Sequence, residues 1–583
     1  MKKGNHTKRT ASKWLCLMLC LLLTTSIVLA GCGKKEDTGK NDSQKTPSMT
    51  DGTKEDTSNG DTSDEESTTG DGAQGSEGTT GEPEQWTLPL TEEKKEISVW
   101  RTYSNQYVED LNDLPTIQKI EERTNVHVNW ITVSMMEASE KFGLMLASGE
   151  LPDVMAGGTY TGGNQKGIDD GVFLDCDDLV KSYMPNYLAI ATVNDDIWKK
   201  LTASDGKFHI LKCVFGNNQV MASEEQAWNG LAIRKDWLDE LNLEVPATID
   251  EWHDVLVAFR DQKGAEAPLS TGQYGYTMME PFLTAYGVAS EFYTKPDGTI
   301  GYGPMEEGYR QWIELFRAWY AEGLIDPNFI TTGFGGLFGA SDEAVYNDKT
   351  GGFNVSWNYL ADGFYENGKY PNDSIEVVAV ENPVLNKGDA PKVFYTPNIT
   401  AGDNIISATC KDPILVAKWL DYWYTKEAME LNHYGIEGET YTTDGNGNYE
   451  FTDLILNNPE GYTSPDALSL YSVAGPAALG FYNWEYMNFL YPNLEPKLAG
   501  KVLWTGQDRS MLLNVDDMTY DEQIEFNSIY TDVQTLVQES TVKYIIGAES
   551  MDSYDSFVQK LHDYGIDKCL AIRQAQADRY SSR

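Results

Sequence analysis

The chain has 583 residues and a formal net charge of −45, from 90 acidic and 45 basic side chains. The first 32 residues hold five basic and no acidic groups and residues 33–85 hold fourteen acidic and five basic, so −41 falls on the remainder. A folded surface so acidic excludes nucleic acid and anionic lipid headgroups as its partners, and a body of nearly 500 residues exceeds a single small core.

Lys2, Lys3, Lys8, Arg9 and Lys13 precede the apolar run Trp14–Ala30, the pattern of a secretory signal. Leu29-Ala30-Gly31-Cys32 resembles the bacterial lipobox, which implies cleavage after residue 31 and a diacylglyceryl group on Cys32. Residues 32–94 read as a lipidated cysteine followed by an acidic Ser/Thr/Gly-rich linker. Up to residue 85 this tract carries almost no large apolar side chain with which to build a core.

From Trp86 the aromatic and β-branched residues return. Glu96–Trp100 and Val126–Val133 read as strands flanking a helical stretch over Pro115–Arg123, a βαβ opening. Asp153–Met155 is a short strand after the turn at Ser148–Pro152, and Ile375–Val380 is a buried one. Thr248-Ile-Asp-Glu251 is a capping box opening a helix with Trp252, Val255, Leu256 and Phe259 on one face. Tyr309, Trp312, Ile313, Phe316, Trp319 and Tyr320 mark an amphipathic helix stopping at Gly323, and its aromatic stripe reads as core. Asp412-Pro413 starts a helix running through Trp419 and Trp423 toward Gly435, and the last elements are helical with a stop near Gly565. Alternating strands and helices imply α/β domains, two lobes around a cleft.

Cys176, Cys213, Cys410 and Cys569 are widely spaced, compatible with two disulfides or with buried free thiols. His127, His209, His253, His433 and His562 show no metal-ligand spacing, and no G-x-S-x-G motif occurs. Asp444–Glu450 starts like a calcium loop but has Tyr449 where glycine is needed and Ile455 where the twelfth-position glutamate belongs, so a tight Asn-Gly hairpin is expected. No catalytic residue, cofactor or metal is assigned.

Several segments resemble one family, the extracellular solute-binding proteins of ABC importers that include maltose-binding protein and the long Gram-positive oligosaccharide-binding lipoproteins. They are Leu146–Asp153, Leu231–Leu238 with Pro246–Trp252, Tyr320–Pro327, Ala417–Trp423, Tyr434–Tyr441 and Lys543–Gly547. The resemblance implies a type II periplasmic-binding-protein-like fold, with lobe 1 over residues 95–225 and 393–440 and lobe 2 over 226–392 and 441–583. It also implies hinged closure on a solute, an ABC permease as docking partner, no catalysis, and a monomer lipid-anchored at the outer face of a Gram-positive-type membrane.

The 33 Tyr and 15 Trp against 19 Phe suit a sugar ligand, whose C–H face stacks on flat rings while its hydroxyls seek polar groups. Candidate contacts at strand ends and in glycine-rich loops are Trp100, Tyr103 and Tyr160, with Arg101 able to fork two hydrogen bonds. Trp357 resembles a sugar-stacking tryptophan of maltose-binding protein and Glu280 an acidic contact there. Trp228 and Trp484 complete the set. Glu437 is read as holding the turn Gly435–Tyr441. A polysaccharide hydrolase or lyase, or a sugar- or peptide-binding protein serving a sensor, remains an alternative.

Overall fold

The computed structural model describes residues 82–583, apart from 104, 106, 135, 136, 159, 224–226, 228, 271–279, 331–341, 357–359, 361–374, 395–399, 445, 447, 474–478 and 491–493; at 342, 343, 356, 401, 494–498 and 501 it describes the backbone alone. Cys32 and residues 1–31 therefore lie outside the described residues, as do Trp228 and Trp357.

Strands β1 (Lys95–Thr102) and β2 (Val126–Val133) pair in parallel, and β3 (Val154–Ala156) lies parallel on the other side of β1. The crossover between β1 and β2 is the helix Pro115–Thr124, with proline in its first turn and Asn125 in the left-handed conformation at its end. Strand β4 (Leu211–Gly216) ends the first excursion of the chain, which re-emerges in a second sheet at β5 (Asn229–Arg234). That sheet adds β6 (Leu269–Ser270), β7 (Gly352–Ser356) and β8 (Val377–Ala379) in the order β8-β5-β7-β6. The chain then returns to the first sheet as β9 (Thr400–Ile406), antiparallel between β3 and β4. β10 (Phe481–Asn483) lies parallel to β4 at the edge, giving the order β10-β4-β9-β3-β1-β2.

The chain therefore passes between the sheets at 216–229, 394–400 and 490–494. The third passage differs from the sequence reading, which assigned 441–583 to the second lobe. Tyr441, Tyr449, Phe451, Ile455, Leu468 and Tyr482 are instead buried in the core of the first sheet. A three-residue strand containing an asparagine gives too short an alternation to be recognised, so the return was invisible.

The linker boundary also moves. Residues 84–94 lie along the first lobe: Trp86 Nε1 donates to Asp421 at 2.8 Å, Glu84 N donates to the Ser182 carbonyl at 2.8 Å, and Leu90 N donates to that of Thr124 at 3.0 Å. Asp421 is fully buried and also accepts from Asn186 N, Asn186 Nδ2 and Tyr187 N, tying the strap, two helices and the core together.

The Thr248 capping box is present, its hydroxyl accepting from Glu251 N at 3.2 Å and Glu251 accepting in return from Thr248 N at 3.1 Å. A hydrogen bond from Lys387 and backbone donors at Ala247 and Thr248 hold the Glu251 carboxyl down at about 2. Thr248→Ala is expected to cost about 1 kcal/mol, measured as a lowered denaturation midpoint. The aromatic helix runs over Glu307–Ala321 and buries Tyr309, Trp312, Ile313, Phe316 and Trp319. The helix expected from Asp412 to Gly435 is two helices, Pro413–Tyr422 and Lys426–His433, because the Thr425 hydroxyl caps the second by accepting from Ala428 N.

Tyr441–Thr443 pairs with Tyr449–Phe451, but the connection spans five residues rather than a tight two-residue turn. Asp444 accepts from Asn446 N and Asn448 Nδ2 across it. The turn Gly435–Tyr441 is fastened by Thr440, whose Oγ1 accepts from Ile436 N and donates to the Tyr434 carbonyl, while Glu437 is exposed. A Cβ on Gly435, at φ +95°, would stand 2.3 Å from that oxygen. Cys176, Cys410 and Cys569 are free thiols, and Cys176, Cys213 and Cys569 are buried.

Candidate functional site

The parallel strands of the first sheet direct their C-terminal ends, at Thr102 and Gly216, toward the chain passages, where an open α/β sheet forms a binding crevice. Along β1 the side chains alternate, so Ile97, Val99 and Arg101 share one face and Ser98 and Trp100 the other. Trp100 is 2 % exposed and packs 5.3 Å from the ring of Phe142, so the platform role expected for it is corrected to core packing. Arg101, also 2 % exposed, lies 5.6 Å from the ring centre of Tyr103 and 5.9 Å from that of Trp130. Burial brings its pKa down to about 10. Its enclosure suits positioning of Tyr103 rather than the direct fork to a ligand that the sequence suggested.

Tyr103 is half-buried at the strand end. Its hydroxyl accepts from Asn105 Nδ2 at 2.9 Å, and the same Nδ2 donates to the Ser469 carbonyl at 2.9 Å. Burial raises the Tyr103 pKa, so the hydroxyl stays neutral and able to donate. Tyr160 packs edge-on to Phe173 at 5.2 Å and donates to Asp170 Oδ2 at 2.9 Å. Trp484 follows β10 and is 5 % exposed within the first core, its N–H backbone group donating to the Gly216 carbonyl.

In the second lobe the described residues form a polar pocket of about 70 Å³ where the chain enters and leaves that lobe. Its polar wall is Asn229, Asn354, Asn382, Gln507 and Glu280, with Trp504 beside them. Asn229 Nδ2 donates to Asn354 Oδ1 at 3.0 Å across β5 and β7. Asn382 N donates to Gln507 Oε1 at 2.8 Å, and Asn382 Nδ2 donates to the Lys392 carbonyl at 2.7 Å. Trp504 Nε1 donates to the carbonyls of Leu231 and Val380, locking its ring against the sheet.

Glu280 stands at the start of a short helix, and its Oε1 accepts from Ser290 N and Ser290 Oγ, both at 2.8 Å. Burial pushes its carboxyl up to about 7, the two serine donors opposing that rise and the charge of Glu291 adding to it. The carboxyl can therefore present either a proton donor or an acceptor near neutrality.

The structure brings Glu280 together with four amides that sequence reasoning missed. Asparagine is disfavoured in strands, and Asn354 in the middle of β7 was the available signal. Tyr103, Tyr160 and Trp484 belong to the first lobe and share no described pocket with Glu280. Among the described residues no three His, Cys, Asp or Glu side chains converge as a metal site, and no helix is long and apolar enough to cross a membrane.

This architecture has known counterparts. Residues 106–430 match the bacterial extracellular solute-binding protein family. The fructooligosaccharide ABC transporter substrate-binding protein FusA of Streptococcus pneumoniae is 25% identical over 536 residues, 85% of this chain and 92% of that protein. Lipoprotein LipO of Bacillus subtilis is 25% identical over 387 residues, 62% of this chain and 70% of LipO. The solved HMO-binding, ABC-transporter-associated solute-binding protein of Bifidobacterium longum infantis superposes with a TM-score of 0.66 at 18% identity, covering 84% of this chain and 99% of that one. With two sheets joined by three passages of the chain, and a family match over more than half its length, the chain belongs to the bacterial extracellular solute-binding proteins.

Proposed function

We propose that this protein captures an oligosaccharide between its two lobes and delivers it to the membrane subunits of an ABC importer, held at the outer face of the membrane by lipid on Cys32. The observation that carries the reading is the amide-and-carboxyl pocket beside the chain passages, whose groups pair naturally with sugar hydroxyls. Trp228 and Trp357 adjoin Asn229 and Ser356 in sequence, and these two residues pair across β5 and β7. We assign Trp228 and Trp357 as stacking platforms for the ligand, with Tyr103 as the platform of the first lobe and Arg101 behind it. FusA, named for fructooligosaccharide transport and matched over most of its length, supports the substrate class. LipO, named as a lipoprotein, supports the anchor.

Closure would be selected because only the closed form touches the ligand from both lobes. No bond is made or broken, and the ligand leaves as it entered. A thermal-shift panel of plant, microbial and host oligosaccharides tests this. A ligand at 100 times its Kd adds about 2.7 kcal/mol, a clear rise of the midpoint. Trp357→Ala is expected to weaken that ligand about 30-fold, the loss typical of a buried aromatic anchor. A panel in which peptides raise the midpoint and no glycan does would overturn the substrate class.

A further inference from the structure

A cavity of about 450 Å³ lies between the lobes, lined by Asn164, Lys212 and Asp403 of the first and by Asp517, Tyr520 and Gln523 of the second, where the helix Tyr520–Ile545 begins. Asp403 pairs with Lys212 across β9 and β4, and the next residue, Asn404, pairs with Ala156 of β3, which in turn pairs with Arg101 of β1. Asp403 and Lys212 therefore stand in the row of Thr102, at the C-terminal end of β1. The cavity belongs to the crevice between the lobes.

The ionisable groups that line this cavity and the amide pocket can be matched one by one. Asp205, Asp403, Asp517 and Glu280 are carboxyls, and Lys212 is the one ammonium among the described lining residues. Lys212 Nζ donates to the Lys200 carbonyl at 3.1 Å, and its positive charge acts on Asp403. His209, also on the wall, lies between two carboxylates, with Nδ1 3.0 Å from Asp175 and Nε2 3.0 Å from Asp205. Four carboxyls thus face one ammonium that is already engaged.

The excess is felt at both ends of the crevice. Burial is the largest cause of the raised pKa of Glu280 and of Asp403; Glu291 adds to the first and Asp517 to the second, while Lys212 opposes the second. In sequence, residues 271–279, 357–359 and 395–399, which adjoin Glu280, Ser356 and Phe394, hold no lysine or arginine, and Glu224 and Glu225 come shortly before Asn229. The charge of −41 on the body repels anions at longer range. A uronate, sialic acid or sulfate group brought into this crevice would bury a negative charge beside carboxyls of the same sign, with its one ammonium taken. A hydroxyl meets no such penalty, since amides and carboxyls can donate to it or accept from it.

Resting on the oligosaccharide reading above, we propose that the cleft selects neutral oligosaccharides and rejects those carrying uronate, sialic acid or sulfate, with Asp403 and Asp517 as the residues that set this preference. The discrimination is electrostatic, so it acts on encounter as well as on the bound state.

Calorimetry of the intact protein with glycans matched in pairs tests this. The pairs are xylotetraose and its glucuronosyl-branched form, lacto-N-tetraose and its sialylated form, tetragalacturonate and its neutral methyl ester, and the neutral glycan that most raises the midpoint with its C6-oxidised uronate form. In every pair that binds, the neutral member is expected to bind about tenfold more tightly or better. Asp403→Asn with Asp517→Asn should narrow that ratio about threefold or more. Raising the salt from about 20 mM to about 500 mM should narrow it as well, and serves where the variant is unstable. An anionic member that binds as tightly as its neutral partner, or a ratio that neither the variant nor salt changes, would overturn the preference. A protein that binds no glycan overturns the oligosaccharide reading and this preference with it; tight binding of an anionic glycan keeps the former and overturns the latter.

Discussion

Glu280→Gln is expected to remove most of a fall in stability that the native protein shows between about pH 4.5 and 7. The folded chain holds the Glu280 proton up to about 7, against an ordinary 4.5. In that window the folded state binds more protons than the unfolded one, so stability declines as pH rises and levels off above pH 7. A shift of that size corresponds to ~3 kcal/mol. The glutamine keeps the shape and one acceptor for the Ser290 donors but does not titrate. The difference between the two proteins should therefore swing toward the variant by ~3 kcal/mol from pH 4.5 to 7.5, followed by guanidinium denaturation at several pH values. Parallel pH profiles would show that Glu280 is not desolvated as its surroundings imply. Such a group would also make ligand capture pH-sensitive, since its donor and acceptor forms suit different hydroxyl patterns.

Asp421→Ala is expected to destabilise the first lobe by about 3 kcal/mol or more. The carboxylate receives four hydrogen bonds, from Trp86 Nε1, Asn186 N, Asn186 Nδ2 and Tyr187 N, in a fully buried setting. Truncation leaves these donors without their acceptor, and each buried polar group so stranded costs about 1–3 kcal/mol. The N-terminal strap at Trp86 would be released as well, so within residues 84–583 limited proteolysis should cut the variant first near residue 86. Melting at the native midpoint with an intact strap would contradict this account of what fastens the N-terminus to the lobe.

These two residues show where sequence reading reaches and where it stops. The capping box at Thr248, the aromatic stripe from Tyr309 to Trp319 and the parallel opening of β1 and β2 depend on neighbours three, four or two positions apart, and all were legible. Asp421 could not be recognised, because its partners lie 234 to 335 positions away in sequence. The same holds for the pocket of Asn229, Asn354, Asn382 and Gln507, which four separate segments bring together. The third passage between the lobes was misplaced because β10 is only three residues long and its partner β4 lies far back in the chain. Trp100 was misjudged for a different reason. A tryptophan at a strand end can face the crevice or the flank of the sheet, and the alternation along β1, with Phe142 waiting on that flank, decided for the flank.

Ligand binding is expected to close the two lobes without chemistry. Small-angle X-ray scattering of the protein, alone and saturated with the oligosaccharide that most raises its midpoint, tests it most directly. The radius of gyration is expected to fall with ligand and to recover on dialysis, with the oligosaccharide recovered intact. An unchanged radius of gyration with bound ligand, or recovery of shortened sugars, would contradict it.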